Sequence, residues 1–182
     1  MCAAVAAAGF TALGFNFGYS EAGRRSPDPM PRLLAAYTDV VEYLRREQPG
    51  RPVVIGGRSM GGRAASLLLA QGLACDGLML LNYPLLPINR KADSRPRVDH
   101  WPDLTGPVLF VHGTRDRLFD EGVFAESRVR LSRATVTVHV VDDADHSFAV
   151  RKSTGRTPAD VDAEIGAAVG DWLVRSPGAV QR

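Results

Sequence analysis

Ser59 stands in the stretch GGRSMGGRAAS, residues 56–66, directly behind the apolar run Pro52-Val53-Val54-Ile55. Within it, Gly57-Arg58-Ser59-Met60-Gly61 spells G-x-S-x-G, the pattern of a serine on a sharp strand-to-helix turn. A serine hydroxyl is a poor nucleophile until an adjacent imidazole takes its proton. The imidazole needs a carboxylate to fix its tautomer and to stabilise the cation that forms. Asp116 and His146 supply those groups downstream, in the order serine, acid, histidine. Glycines let the backbone reverse with strand and helix packed close, which leaves the hydroxyl at the tip. The amide of Met60, at the start of the helix, then points toward a developing oxyanion.

Two other readings compete for this loop. Ser59 could simply cap the helix at a glycine-rich turn. A phosphate loop would need G-x-x-x-x-G-K-[ST], and from Gly57 the match runs to Gly62 before Arg63 and Ala64 replace the lysine and the hydroxyl. Without those groups, and with no G-x-G-x-x-G elsewhere, nucleotide binding is disfavoured.

The acid has competitors in Asp142, Asp143 and Asp145. Asp145 adjoins His146, and neighbouring side chains in an extended loop point apart, so it is a poor partner. Among the remaining histidines, His112 reads as a hydrogen-bonded buried residue, and His100 and His139 as surface or edge residues. No pair has metal-ligand spacing, so neither a metal nor another cofactor is expected. Arg58 beside the serine, with Arg90, Lys91, Arg95 and Arg97, could attract an anionic acyl group, although a solvated charged surface is the plainer reading. Tyr19 is a candidate for lining the pocket with Arg58. The segment from Leu85 to Gly106 is too short for a lid domain, which favours small or surface-presented substrates.

These groups must be positioned by regular elements, and the pattern supplies them. Ala3 to Ala8 reads as helix, stopped by Gly9, and Thr11 to Phe17 as a strand. Pro31 opens a helix carrying Leu33, Leu34, Tyr37, Val40, Val41 and Leu44 at three- and four-residue spacing. Val53 to Gly56 is the next strand, then helix from Met60 to Ala70. Gly77 to Tyr83 and Pro107 to His112 are continuous apolar runs, as in parallel strands covered on both faces. Glu121 to Leu131 reads as helix, Thr135 to Val141 as a strand near a sheet edge, and Pro158 to Val174 as a closing helix. About five strands alternating with helices predict an α/β fold, an open and mostly parallel sheet with helices on both faces. Ligands bind such sheets beyond the carboxyl ends of the strands, where Tyr19, Ser59, Asp116 and His146 all fall.

At 182 residues, 45% of them hydrophobic and 23% charged, the chain fits one soluble domain spanning residues 1–182. A net charge of +2 gives no reason to expect a nucleic-acid partner or an anionic membrane surface. Cys2 and Cys75 cannot form a disulfide framework, which favours a cytoplasmic location. The apolar start MCAAVAAAGFTALGF lacks the basic flank of a secretion signal and is too short to span a bilayer.

Taken together, GGRSMGGRAAS, NYPL, VLFVHGTRD and DADHSF resemble an α/β-hydrolase. The narrower resemblance is to the dienelactone-hydrolase-like predicted hydrolases, a group that includes a testis-expressed animal protein and a subunit of the nonspecific-lethal complex. It implies Ser59 as nucleophile, Asp116 as orienting acid, His146 as general base and the Met60 amide as an oxyanion donor. A small ester or thioester would be the substrate. Some members of the group are non-catalytic complex subunits, which keeps a weakly active or inactive scaffold as the alternative. The strands counted here correspond to the fourth through eighth of the superfamily's sheet. The chain is therefore expected to lack the first strands and the loop that completes the oxyanion hole. Losing one such donor typically costs about 3 kcal/mol of transition-state stabilisation. Either Thr11 to Phe17 pairs directly with Val53 to Gly56, or unpaired backbone groups at that edge must be covered some other way.

Overall fold

The structure is a computed structural model that describes residues 2–89, 91 and 94–176. Helix α1 (Cys2–Ala7) ends at Gly9, whose φ of +89° only glycine adopts readily. A single turn, α2 (Gly18–Glu21), precedes the long helix α3 (Met30–Glu47). Pro31 lies in the first turn of α3, where a missing N–H costs nothing, and Arg45 and Arg46 face the negative end of the helix dipole. Leu33, Tyr37 and Val41, four residues apart, form its buried stripe.

Strand β1 (Val54–Arg58) leads through Ser59 into α4 (Met60–Ala70). Strands β2 (Gly77–Leu81) and β3 (Gly106–Gly113), helix α5 (Glu121–Ser127), strand β4 (Ala134–Val141) and helix α6 (Pro158–Arg175) follow. The strands form one parallel sheet in the order β1-β2-β3-β4. Alternation along each strand divides the core. Ile55, Leu78, Leu80, Val108 and Phe110 pack beneath α3, α4 and α5. Leu81, Leu109, Val111 and Val141 pack beneath α6, with Val5 of α1 at the margin. Because β2 and β3 are covered on both faces, they have no polar side and read as unbroken apolar runs.

Two expectations are corrected. Thr11 to Phe17 is not a strand, and four strands rather than five are present among the described residues. Phe10 packs in the cluster beneath α6 and Phe17 in the cluster beneath α3. The residues between them carry the chain from one face to the other instead of running in register with β1. The helix expected through Leu131 ends at Ser127 and tightens into a 3-10 turn over Arg128–Arg130. Among the described residues, no helix is long and apolar enough to cross a membrane.

Of the two outcomes open for the β1 edge, the covered one is found at Gly56. The Tyr37 hydroxyl donates to the Gly56 carbonyl at 2.5 Å and accepts from the Gly56 N–H at 2.8 Å. One phenol thus satisfies both backbone groups that a neighbouring strand would have bonded. Phe15 closes over the ring, edge to face, at 5.1 Å between centroids. Burial raises the Tyr37 phenol to about 12, so it stays protonated and able to donate.

Tyr37→Phe keeps the ring and removes only the hydroxyl, leaving two backbone groups unsatisfied. The expected loss is about 1–3 kcal/mol of unfolding free energy, read by urea denaturation. A loss below a few tenths of a kcal/mol would mean that water replaces the hydroxyl without penalty.

Candidate active site

Ser59 occupies φ 51° and ψ −114°, a conformation costing a non-glycine residue on the order of 1–3 kcal/mol. Two backbone bonds hold it there. Its N–H donates to the Leu81 carbonyl at 2.8 Å, and its carbonyl accepts from the Arg63 N–H at 3.0 Å. The flanking glycines have distinct jobs. A Cβ on Gly57 would lie 2.8 Å from the Gly61 carbonyl carbon, and one on Gly62 2.7 Å from the Gly57 oxygen. A Cβ on Gly61 would meet nothing within 4 Å. Close packing of α4 on β1 therefore depends on Gly57 and Gly62, and the final glycine of G-x-S-x-G is sterically free.

The three residues singled out for chemistry meet. Ser59 Oγ is 2.8 Å from His146 Nε2, and His146 Nδ1 is 2.8 Å and 2.9 Å from the two carboxylate oxygens of Asp116. With Nδ1–H donating to the carboxylate, Nε2 is left to accept the serine proton. Asp116 is 4% exposed and also accepts the Leu118 N–H at 2.8 Å, so its carboxylate is aimed from both sides. The competing acids are engaged elsewhere. Asp145 accepts the Ser147 and Ala149 amides, and Asp142 faces the Thr114 hydroxyl.

Asp116 and His146 lie on the loops after β3 and β4, and a network not anticipated from the sequence binds those loops together. Asn82, fully buried just past β2 with φ 45°, is its hub. Its side-chain oxygen accepts the Gly113 N–H at 3.1 Å, and its amide nitrogen donates to the Asp145 and His146 carbonyls at 3.2 and 3.0 Å. Gly113 sits so close to the second loop that a Cβ there would fall 2.1 Å from the Ala144 oxygen. Asp143, also buried and at φ 56°, adds an ionic clamp. Its carboxylate takes the Arg151 N–H and guanidinium and, at 3.4 Å, Arg115 Nη1. The hydrogen bond from the Arg151 side chain, then that from its backbone, holds the Asp143 carboxyl down at about 2.

The remaining candidates are placed as follows. Met60 opens α4 directly after Ser59. Arg58 ends β1 with its side chain exposed. Tyr19 is half-buried, stacked on Phe17 at 6.2 Å, with no polar contact to Ser59, Asp116 or His146 among the described residues. Arg97 is half-buried and Lys91 and Arg95 are exposed, whereas Arg90 lies outside the described residues. Two histidine expectations change. His100 is half-buried rather than exposed: its Nε2 meets the buried Ser66 hydroxyl at 2.9 Å, and desolvation lowers its pKa to about 4. His112 is buried as expected but not hydrogen-bonded. Neither ring nitrogen lies within hydrogen-bond distance of a partner; Nε2 stands 3.7 Å from Glu121 Oε1, and the ring stacks on Phe119 at 3.8 Å. His139 does lie on β4 at the sheet edge, where it meets Glu164 at 3.0 Å.

Comparison with known proteins gives the family and the fold. The family model described as alpha/beta hydrolase domain matches residues 1–173. Alpha/beta hydrolase domain-containing protein 17C of Xenopus tropicalis is 29% identical over 119 residues, covering 58% of this chain and 38% of that protein. Protein 17B of Xenopus laevis is 31% identical over 119 residues, covering 58% of this chain and 41% of its own. The chain thus spans well under half the length of these curated relatives. Among solved structures, a Klebsiella pneumoniae protein assigned as a dienelactone hydrolase superimposes with a TM-score of 0.62 at 22% identity. That match covers 89% of this chain and 68% of the other. A cold-adapted esterase from an Arctic intertidal metagenomic library gives 0.56 at 19% identity, covering 87% and 61%. At these identities the structural likeness speaks to the fold.

Two outcomes test the network. Asn82→Ala strands one N–H and two carbonyls, so it should cost about 1–3 kcal/mol of stability in urea. It should also weaken or remove the downfield proton resonance of the His146–Asp116 bond. An unchanged resonance would show that Asn82 does not position the histidine. For Asp143 the folded pKa lies below the unfolded value of 3.8, so its stabilisation is present above 3.8 and lost as pH falls toward about 2. Asp143→Asn should lack that stabilisation at neutral pH and give a flatter stability curve across the same window. A curve parallel to the wild type would remove the clamp from the account.

Proposed function

Because the chain belongs to the alpha/beta hydrolase domain family, we propose that it is a serine hydrolase cleaving an ester or thioester bond through an acyl-enzyme at Ser59. The observation that carries this reading is the unbroken chain of short contacts from Ser59 Oγ through His146 to Asp116.

The steps follow from which atom faces which. Ser59 Oγ attacks the substrate carbonyl carbon as its proton passes to His146 Nε2, 2.8 Å away. The imidazolium is stabilised by the shielded Asp116 carboxylate, which keeps its own charge throughout. The oxyanion forms within reach of the Met60 N–H at the head of α4, where one donor is worth about 3 kcal/mol of barrier. Nε2 returns its proton to the departing alcohol or thiol, leaving the acyl group on Ser59. Water then attacks the acyl carbon as one of its protons passes to Nε2, and the bond to Ser59 Oγ breaks as Nε2 returns that proton to the serine and the acid leaves. The backbone bonds to Leu81 and Arg63 hold Ser59 in its positive-φ conformation, which keeps the hydroxyl at the tip of the turn through both half-reactions.

A fluorophosphonate probe tests the proposal because it phosphonylates an activated serine irrespective of substrate. Labelling is expected at Ser59, absent in Ser59→Ala, and slowed about 10³-fold or more in His146→Ala. A folded protein that takes up no label would favour a scaffold built on a hydrolase fold.

A further inference from the structure

A cavity of about 510 Å³ opens beside the imidazole, lined by Arg115, Arg117, Asp145, His146 and Ser147. Two cations, one anion and the candidate general base thus share one space, and their commitments differ. Arg115 already donates to the Asp143 carbonyl at 2.9 Å and to its carboxylate at 3.4 Å. Asp145 is turned to its own loop, accepting the Ser147 N–H at 2.7 Å and the Ala149 N–H at 3.0 Å. Arg117 is exposed and makes no hydrogen bond or ion pair among the described residues. It follows Asp116 directly, so the bond from Asp116 to His146 anchors its backbone next to the reacting groups. The cavity therefore offers one uncommitted guanidinium, a planar donor suited to a carboxylate or phosphate.

The side on which the cavity lies matters. Its walls include His146 and Ser147 but neither Ser59 nor Met60. In acyl transfer the imidazole stands next to the departing atom, to which it returns the proton, whereas the acyl oxygen turns toward the amide after the nucleophile. A group held here belongs to the leaving half of the substrate. Resting on the hydrolase reading above, we propose that Arg117 selects substrates whose leaving alcohol or thiol carries a negative charge, as a carboxylate or a phosphate.

The test uses butyrate esters that share an acyl group and differ in the leaving phenol. These are 4-butyryloxybenzoate, its methyl ester and 4-butyryloxyphenyl phosphate, each rate normalised to hydroxide-catalysed hydrolysis. The wild type should prefer both charged esters, and Arg117→Gln should lower kcat/KM on them about tenfold. The methyl ester should change less than twofold, and the preference should shrink as salt is raised. Preference for one anion over the other would identify which group the cavity fits. A fourth substrate, the mono-4-nitrophenyl ester of glutarate, puts the charge on the acyl half and should be insensitive to the substitution. Equal losses on charged and neutral esters, or a loss confined to the glutarate ester, would overturn the proposal. Fluorophosphonate labelling run in parallel separates the two levels. An Ser59 that labels normally while charged and neutral esters react alike defeats the inference about Arg117 and leaves the hydrolase reading standing. Absence of labelling defeats the hydrolase reading itself.

Discussion

Asp116 and His146 must meet through a bond of 2.8 Å although each stands on its own loop, and the sheet contributes nothing directly to that bond. Loops of this kind wander by more than a hydrogen bond tolerates unless something fixes them to one another. Asn82 and Asp143 do so by different physics. Asn82 works by satisfaction, since a fully buried amide with its oxygen and nitrogen both used fits in only one orientation. Asp143 works by charge, drawing Arg115 from the acid loop and Arg151 from beyond the histidine onto one carboxylate. Backbone bonds from Thr114 to Val141 and from Arg115 to Ala144 complete the seam. Ser59 and His146 can thus stay partly open to solvent while Asn82 and Asp143 beneath them are buried.

The serine is fixed by another means, and the difference is instructive. Its loop is joined to the sheet through its own backbone, by the bond to Leu81, and to α4 through Gly57 and Gly62. Ser59 therefore inherits the rigidity of a strand and a helix. The histidine inherits its position from two side chains, one of them placed by φ 45° at the end of β2. Positional precision on the serine side rests on the absence of side chains, and on the histidine side it rests on their presence.

This contrast explains what was legible in the sequence. Strand exits can be read from apolar runs, so Ser59, Asp116 and His146 could be picked out and ordered without coordinates. Asn82 could not, because an asparagine after GLMLL looks like an ordinary turn residue. Its meaning depends on two loops that arrive 31 and 63 residues later. His100 reads as exposed for the same reason, since the serine it bonds lies 34 residues away on α4. Thr11 to Phe17 has a strand's composition, but composition cannot say whether a neighbouring strand is available to pair with. The edge it might have covered is closed at Gly56 by Tyr37, a residue that the helical periodicity of α3 marks only as core.

The order of the strands across the sheet is also their order along the chain. Among the four described strands, each finds its parallel neighbour already made during synthesis, and none has to be inserted between two others. The turn that strains Ser59 is completed when Leu81 supplies its carbonyl, with β3 and β4 still to come. The imidazole emerges only after β4 and is aligned only when the loops close on Asn82 and Asp143. Between the addition of Leu81 and the emergence of His146 the chain therefore carries Ser59 already in place but without its imidazole. The contact between Ser59 and His146, 87 residues apart, therefore closes only as β4 docks, which makes it one of the latest long-range contacts of the fold to form.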